Sequence, residues 1–430
     1  MTETLHSPTL RDVLYYGYDP GCSDAGLPHA VEAAARQDHL SAPYDSLVST
    51  VQSAFQSAVD AELRTHDAER HVVPLSSGLD SRAILATLLD HPAVDRSDVQ
   101  TVTFGTPGTW DFELGPQVAD AAGVANRTVD LRPGSFDWSI ESLRAFARTQ
   151  SRPIRMFEGY VNDAVSRAVD IEDAVHWIGY LGGPTTGKDI SETPHDSWEA
   201  AVAEFVEHGH YTSLEPPGHE PRRAIPSEPY LPQSAMAFPN QLSFAHRQQC
   251  YIRPVVVGDG PCCTPFAHPE WLEVILNVPR RHRANRAVLT DAMVDSYPEL
   301  FALPTDASAG YPLSVGESRR KIRRGGHLLI DSLAETLGRS YTHPDTNYLN
   351  FARAFREAGE LRRTAEELIE HLQERELPAG VNPGAIWERH QDGSDRSRDI
   401  KVLCSLELYL SEHEEAAVGA DSAPRQGRPS

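Results

Sequence analysis

The chain has 430 residues, with 62 Asp and Glu against 39 Lys and Arg, which gives a formal net charge of −23. This length allows one large α/β domain with extensions, or two to three smaller domains. The acidic balance argues against a nucleic-acid partner, because general affinity for nucleic acid comes mostly from neutralised phosphates.

The basic residues are almost all arginine, since Lys188, Lys321 and Lys401 are the three lysines of the chain. Excess carboxylate with few lysines is typical of halophilic proteins in molar salt, where a Debye length of about 3 Å screens surface repulsion. An acidic, GC-rich genome is the alternative explanation. No apolar run approaches a membrane span, no export signal is visible, and the five cysteines form no CxxC pair. We therefore expect a cytoplasmic protein without a membrane partner, a disulfide framework or structural zinc.

The first half of the chain alternates between helical and strand patterns. Residues 1–44 mix Tyr with Pro, Gly and Ser, which indicates an irregular lead-in. Apolar residues at every fourth position then predict an amphipathic helix near 44–70. Strands are predicted near 71–75, 99–105 and 127–131, with helices near 83–89 and 113–122. This alternation predicts an α/β fold with a parallel sheet and right-handed crossovers.

The second half of the chain is mostly helical in pattern. Residues 140–170 are predicted to be helical, and 174–181 to form a strand that leads into a Gly-rich loop at 182–187. Residues 190–235 are rich in Pro, His and Glu and are predicted to be an insertion with little regular structure. Helical periodicity returns over 236–300, 347–374 and 394–410.

These patterns divide the chain into three parts. The lead-in spans 1–44 and is followed by one domain at 45–410, whose core covers about 45–300 and whose helical C-terminal part covers about 301–410. The small and polar residues at 411–430 are predicted to be a disordered tail.

The run Leu-Ser-Ser-Gly-Leu-Asp-Ser at residues 75–81 lies between a predicted strand and a predicted helix. The backbone N–H groups of such a turn, together with the positive end of the helix, form an anion site. Gly78 lets the backbone approach a ligand, and the serines can donate to phosphate oxygens. Asp80 would repel phosphate unless a divalent cation lies between them, which implies Mg²⁺. The alternative is a Ser/Gly-rich turn in which Asp80 faces solvent.

This run resembles the SGGxDS pyrophosphate loop of the N-type ATP pyrophosphatases, the PP-loop superfamily, and is most similar to the synthetase domain of asparagine synthetases. Later segments resemble the same family in the same order. Residues 101–105 match its second strand, 113–123 the following helix, 265–271 its PFLD segment, and 279–289 its lP...+....K..lR stretch. The resemblance covers roughly residues 45–300.

The resemblance implies a parallel-sheet adenine-nucleotide α-hydrolase-like core and an ATP- and Mg²⁺-dependent ligase reaction. In this family a substrate carboxylate, aspartate by default, attacks the α-phosphate of ATP, and Mg-pyrophosphate leaves into the loop. A nitrogen nucleophile then displaces AMP from the acyl-adenylate to give an amide.

The family's functional residues can be carried over to matching positions. Asp80 would hold the metal and act in catalysis, and Arg286 stands at or beside the lysine that stabilises the intermediate. The remaining matches would contact nucleotide or pyrophosphate: Leu75, Ser76, Ser77, Gly78, Leu79, Ser81, Thr103, Phe104, Gly105, Gly182, Gly183 and Lys188.

Three departures from the family pattern bear on activity. Thr2 follows the initiator Met where glutamine-hydrolysing members have a cysteine, so we expect nitrogen from free ammonia, a separate glutaminase or a substrate amine. The family's G(E/D)GxDE loop corresponds to residues 179–189, which keep glycines but lack the carboxylates, although Asp189 could approach the site. Arg286 keeps the charge of the replaced lysine but cannot titrate.

These departures leave other functions open. A degenerate PP-loop protein could bind nucleotide or serve as a scaffold. A PP-loop enzyme that modifies tRNA or a sulfur carrier is the third alternative, although such enzymes usually carry catalytic cysteines and the charge of −23 disfavours tRNA.

Overall fold

The computed structural model describes residues 8–36, 39–169, 173–188, 195–258, 260–336 and 341–421. In these residues the strands are β1 (Arg70–Pro74), β2 (Val99–Gly105), β3 (Ala125–Asp130), β4 (Ala174–Trp177) and β5 (Cys262–Cys263). They form one all-parallel sheet in the order β3-β2-β1-β4-β5. The predicted α/β fold with a parallel sheet is therefore confirmed.

Helices precede, connect and follow the strands. Those before β5 are α1 (Pro8–Tyr16), α2 (His29–Ala35), α3 (Tyr44–Thr65), α4 (Leu79–Asp90), α5 (Trp110–Ala122), α6 (Ile140–Ala147), α7 (Met156–Ala168), α8 (Gly182–Thr186), α9 (Trp198–Gly209), α10 (Phe238–Leu242), a π-helix (Ser243–Ile252) and α11 (Arg253–Val256). Those after β5 are α12 (Pro269–Ile275), α13 (Arg280–Arg283), α14 (Ala287–Ser296), α15 (Pro298–Phe301), α16 (Glu317–Thr336), α17 (Phe351–Ala354), α18 (Glu360–Gln373), α19 (Pro383–Gln391) and α20 (Ser397–Asp421).

The core is divided between the two faces of the sheet. Successive side chains of a strand point to opposite faces, so Val73 joins one cluster and its neighbour Val72 joins the other. Helices α3, α4, α5, α12 and α14 contribute to the first cluster, and α1, α6, α7, α18 and α20 to the second. Both faces of β1 are therefore buried at its centre, where Val72 and Val73 follow each other in sequence.

The strand order creates a crevice beside β1. The chain steps from β1 to β2 to β3 in one direction and then returns to place β4 on the other side of β1. His71 pairs with Val99 on one side and with Val175 on the other. The carboxyl ends of β1 and β4 thus form a topological switch point, where open parallel sheets bind their ligands.

Several local predictions are wrong where short amphipathic segments lie in polar or Pro-rich sequence. The lead-in contains α1 and α2, because Leu10, Val13 and Leu14 pack into the core. The 190–235 segment contains α9, whose first turn is capped by Ser197 and whose Trp198 is buried. Residues 182–187, predicted to be a loop, form the single turn α8 and its cap, and the preceding strand ends at residue 177 rather than 181.

The C-terminal tail is also shorter than predicted, because α20 continues to Asp421. Its residue Glu412 is buried and accepts a hydrogen bond from Arg148 at 2.5 Å, which anchors the part of the helix beyond residue 410. Residues 422–430 lie outside the described part of the chain.

The structure adds a disulfide that cysteine spacing could not show. Cys22, in the loop after α1, is bonded to Cys250 of the π-helix across a sequence separation of 228 residues. The pair forms because the lead-in folds back against the π-helix, where Tyr16 and Tyr18 pack beside both cysteines.

Candidate functional site

A cavity of about 400 Å³ lies over the carboxyl ends of β1, β2 and β4. Pro74 and Phe104 contribute the ends of the first two strands, and Ile178 follows β4. Asn162 and Val165 of α7 line another part of the cavity. The cavity therefore occupies the switch point of the sheet, with a volume suited to a small-molecule ligand.

An ion pair lies in this cavity. Asp80, the second residue of α4, accepts a hydrogen bond from Arg286 Nη2 to its Oδ2 atom at 2.8 Å. The two side chains are 23% and 11% exposed, respectively, so solvent screens the pair only partly. The other carboxylate oxygen, Asp80 Oδ1, is buried and has no partner among the described residues. Because an unpaired buried acceptor is costly, this oxygen is available to a cation or a donor of a ligand.

The backbone around the ion pair is strained. Leu181, Asn285 and Arg286 have φ angles of 65°, 54° and 63°, in the left-handed region that non-glycine residues rarely adopt. Such strain costs about 1–3 kcal/mol per residue and persists only where the surrounding structure imposes it. Arg286 thus reaches Asp80 from a conformation that the fold imposes on residues just before α14.

Close-packed glycines bring α8 against Asp80. A Cβ atom added at Gly182 would lie 2.5 Å from Asp80 Cγ, and one at Gly179 would lie 3.2 Å from Asp80 Cβ. At Gly183 an added Cβ would lie 3.3 Å from Arg286 Nη2 and 3.5 Å from Lys188 Cδ. Glycine at 182 is therefore a steric requirement for the observed position of the carboxylate.

The serines of residues 75–81 already form hydrogen bonds with other groups of the protein. The Ser76 N–H donates to Ser81 Oγ at 3.2 Å, and the Gly78 N–H donates to Ser76 Oγ at 3.1 Å. The N–H and hydroxyl of Ser77 both donate to Asp111 Oδ1, at 3.0 and 2.7 Å. A phosphate bound at this loop would have to replace these bonds.

Asp111 is a charged group that the sequence reasoning missed. It lies in the first turn of α5, directly after β2, and burial raises the pKa of its carboxyl above the ordinary value, against the lowering effect of the Ser77 bonds. The negative charge of Asp306 raises the same pKa further, while the positive charge of Lys188 lowers it. Its position at the carboxyl end of a neighbouring strand is the sequence signal that could have identified it.

A buried arginine fixes the other side of the loop. Arg82 is fully buried and donates to four backbone carbonyls, those of Ser77, Leu300, Leu303 and Pro304. Burial lowers the pKa of its guanidinium to about 10. This side chain ties the loop after β1 to the chain that follows α15.

The sequence-predicted site residues separate into two groups. Six of them line the cavity: Asp80, Phe104, Gly182, Gly183, Lys188 and Arg286. Eight others do not line it: Leu75, Ser76, Ser77, Gly78, Leu79, Ser81, Thr103 and Gly105. Thr103 is buried and donates from Oγ1 to the Leu75 carbonyl at 3.0 Å, so neither this hydroxyl nor this carbonyl is directed at the cavity. Asp189 lies outside the described residues.

The cavity is locally positive although the chain is acidic. Lys188, Arg247 and Arg286 line it, and Asp80 is the one carboxylate among its described lining residues. Arg247 and its neighbour Gln248 come from the π-helix, a rare element that is frequent at functional sites, and no sequence pattern pointed to them. This charge distribution favours an anionic ligand such as a nucleotide phosphate.

Comparison with known proteins finds no match, either to a protein-family model or to a curated protein. Across the described residues, every helix is too short or too polar to cross a membrane. What the site can do chemically follows from its cavity, its ion pair and its close-packed glycines.

Proposed function

We propose that the chain binds Mg-ATP in this cavity and activates a carboxylate as an acyl-adenylate, as an AMP-forming amide ligase of the asparagine-synthetase branch of the PP-loop superfamily. The observation that carries the proposal is the ion pair. Asp80 of the resembling loop and Arg286, at or beside the position of the family's lysine, are 206 residues apart in sequence, yet their side chains meet at the switch point. Two positions matched independently by resemblance thus share one cavity.

The side chains present fit a magnesium ion. Mg²⁺ commonly keeps several waters and binds through one or two carboxylates together with substrate phosphates. Asp80 supplies one such carboxylate, and its buried, unpaired Oδ1 is the free acceptor. The bound ion would neutralise charge on the phosphates of ATP.

The cations of the cavity would act on the leaving pyrophosphate. Negative charge accumulates on pyrophosphate as the carboxylate attacks, and fixed positive groups in a partly desolvated site stabilise it. Arg286 can bind phosphate oxygens in a bidentate manner, and Lys188 and Arg247 add charge on the same cavity. Phe104 and Val165 provide apolar surface for an adenine ring. Ammonia, free or from a separate glutaminase, or a substrate amine would then displace AMP.

The test is carboxylate-dependent exchange of radiolabelled pyrophosphate into ATP, in high salt, with a panel of amino acids and organic acids. Asp80→Asn should lower the exchange rate by about 100-fold or more, because the variant loses both the metal ligand and the ion pair. Asp45→Asn, which alters an exposed aspartate in the first turn of α3, is the matched control and should exchange like the wild type. Arg286→Lys should retain more exchange than Arg286→Ala.

A second candidate, a nucleotide-binding protein without ligase activity, is favoured by the internally bonded loop. The donors of Ser76, Ser77 and Gly78 are all engaged, and the loop at 179–188 brings no carboxylate to the cavity. Calorimetric titration with Mg-ATP separates the two functions. Binding of Mg-ATP without pyrophosphate exchange for any acid supports this candidate. Absence of both Mg-ATP binding and pyrophosphate exchange contradicts both functions.

A further inference from the structure

A second cavity of about 390 Å³ lies beside the first, and Arg247 lines both. We propose that this second cavity binds a flat aromatic carboxylic acid. Its role as the acyl substrate of the ligase rests on the proposed function, whereas the binding itself does not. The argument depends on the cations, the aromatic rings and the position of Arg247.

The cavity presents two arginines that no acidic side chain of the described residues neutralises. Arg247 and Arg398 are exposed, and neither forms an ion pair with any residue that the structure describes. The one carboxylate among the described lining residues, Glu204, already contacts His195 and His208. In a chain of net charge −23, two unpaired guanidinium groups at one cavity indicate a site for an anion.

A third arginine and two tyrosines form a stacked group on one wall of the cavity. The guanidinium of Arg155 lies 3.5 Å from the ring centroid of Tyr211 and 4.0 Å from that of Tyr251. Arg155 also donates from Nη1 to the Tyr251 hydroxyl at 2.9 Å and from Nη2 to the Tyr16 carbonyl at 3.2 Å. The wall is therefore formed before any ligand arrives, which lowers the entropic cost of binding.

The walls favour an aromatic acid over other anions. Phe205 and Tyr18 also line the cavity, so a planar ring can pack against aromatic side chains while its carboxylate pairs with guanidinium groups. Inorganic phosphate would use the arginines alone, and an aliphatic acid would lack ring-to-ring contact. A carboxylate held by Arg247 would lie at the boundary with the first cavity, where a carboxylate that attacks ATP is needed.

The test measures binding of 2-naphthoate to the full chain by calorimetry in high salt without ATP. We expect saturable binding of 2-naphthoate, and at least tenfold weaker binding of the neutral 2-naphthamide and of inorganic phosphate. Arg398→Gln and Arg247→Gln should each raise the Kd about tenfold. Arg223→Gln, at an exposed arginine outside the lining of both cavities, is the matched control and should leave the Kd unchanged. Thermal unfolding of each variant checks that it is folded.

The outcomes distinguish the binding proposal from the proposed function. Absence of naphthoate binding, equal binding of the amide or phosphate, or an unchanged Kd in both folded cavity variants overturns the aromatic-acid site. Exchange of pyrophosphate with aliphatic acids and no binding of aromatic acids would leave the ligase function standing without this site. Binding of naphthoate without exchange for any acid would leave the site standing without the ligase function.

Discussion

Replacing Gly182 by alanine should separate Asp80 from Arg286. The added Cβ would lie 2.5 Å from Asp80 Cγ and 2.7 and 2.8 Å from its two oxygens, whereas ordinary contact begins at 3.4 Å. The carboxylate must therefore move by about 0.9 Å, which is the difference between 3.4 and 2.5 Å. If the carboxylate moves by this amount away from Arg286, the 2.8 Å bond lengthens to about 3.7 Å, which is beyond hydrogen-bond distance.

The stability cost of this substitution follows from two opposing effects. Losing a hydrogen bond between charged groups costs about 1.5–3 kcal/mol. Gly182 is not at a positive φ, so alanine is compatible with its backbone and would gain about 0.5–1 kcal/mol in a helix. The free energy of unfolding should therefore fall by about 1–2 kcal/mol. Mg-ATP binding should weaken as well, because the free oxygen of Asp80 changes position.

Urea denaturation and calorimetric titration with Mg-ATP measure the two effects, and the chain offers a neighbouring control. An added Cβ at Gly183 would lie 3.3 Å from the flexible end of Arg286 and further from Lys188, so Gly183→Ala should be neutral or slightly stabilising. If Gly182→Ala is as stable as Gly183→Ala and binds Mg-ATP like the wild type, the close approach of α8 to Asp80 does not constrain the site.

Three further predictions concern stability. Reducing the Cys22–Cys250 disulfide should lower the free energy of unfolding by about 2–4 kcal/mol. Dithiothreitol should therefore lower the urea midpoint of the wild type. It should leave unchanged the midpoint of a control variant with serine at both positions. Burial raises the pKa of Asp111, so this residue stabilises the folded state fully below about pH 4. That stabilisation is lost as the pH rises through the pKa of Asp111 in the folded state. Asp111→Asn, which still accepts from Ser77, should therefore gain stability relative to the wild type as pH increases, and a pH-independent difference between their urea midpoints would contradict this. Arg82→Met should lower the free energy of unfolding by about 2–4 kcal/mol in the same assay, since it leaves buried carbonyls unpaired, and an unchanged midpoint would show that they need no donor.

A strand of the sheet could be predicted from the sequence where its own residue pattern is sufficient to indicate it. The run at residues 99–105 is β-branched and aromatic and ends in glycine, and β2 has the same bounds. β5 has only Cys262 and Cys263, and it exists because His176 and Trp177 of β4 pair with them. A two-residue edge strand depends on that tertiary pairing, so its local sequence carries no recognisable pattern.

The site could be predicted in part. The resemblance assigned Asp80 and Arg286 to one candidate site, and their side chains form an ion pair, while the roles assigned to them stay predictions. The hydrogen bonding of the loop at residues 75–81 could not be predicted, because the donors of Ser77 are satisfied by Asp111, which lies on a different helix. Arg247 was missed for a related reason, since its place at the cavity depends on the wider turn of the π-helix.

The distance along the chain between the two halves of the ion pair has a consequence during synthesis. Asp80 and Arg286 are 206 residues apart, and ribosomes add about 5–20 residues per second, so roughly 10–40 s pass between the synthesis of the two residues. During that interval α4 and the first strands can form, but the carboxylate has no guanidinium beside it. The switch-point cavity is thus completed late, after the sheet that supports it has been made.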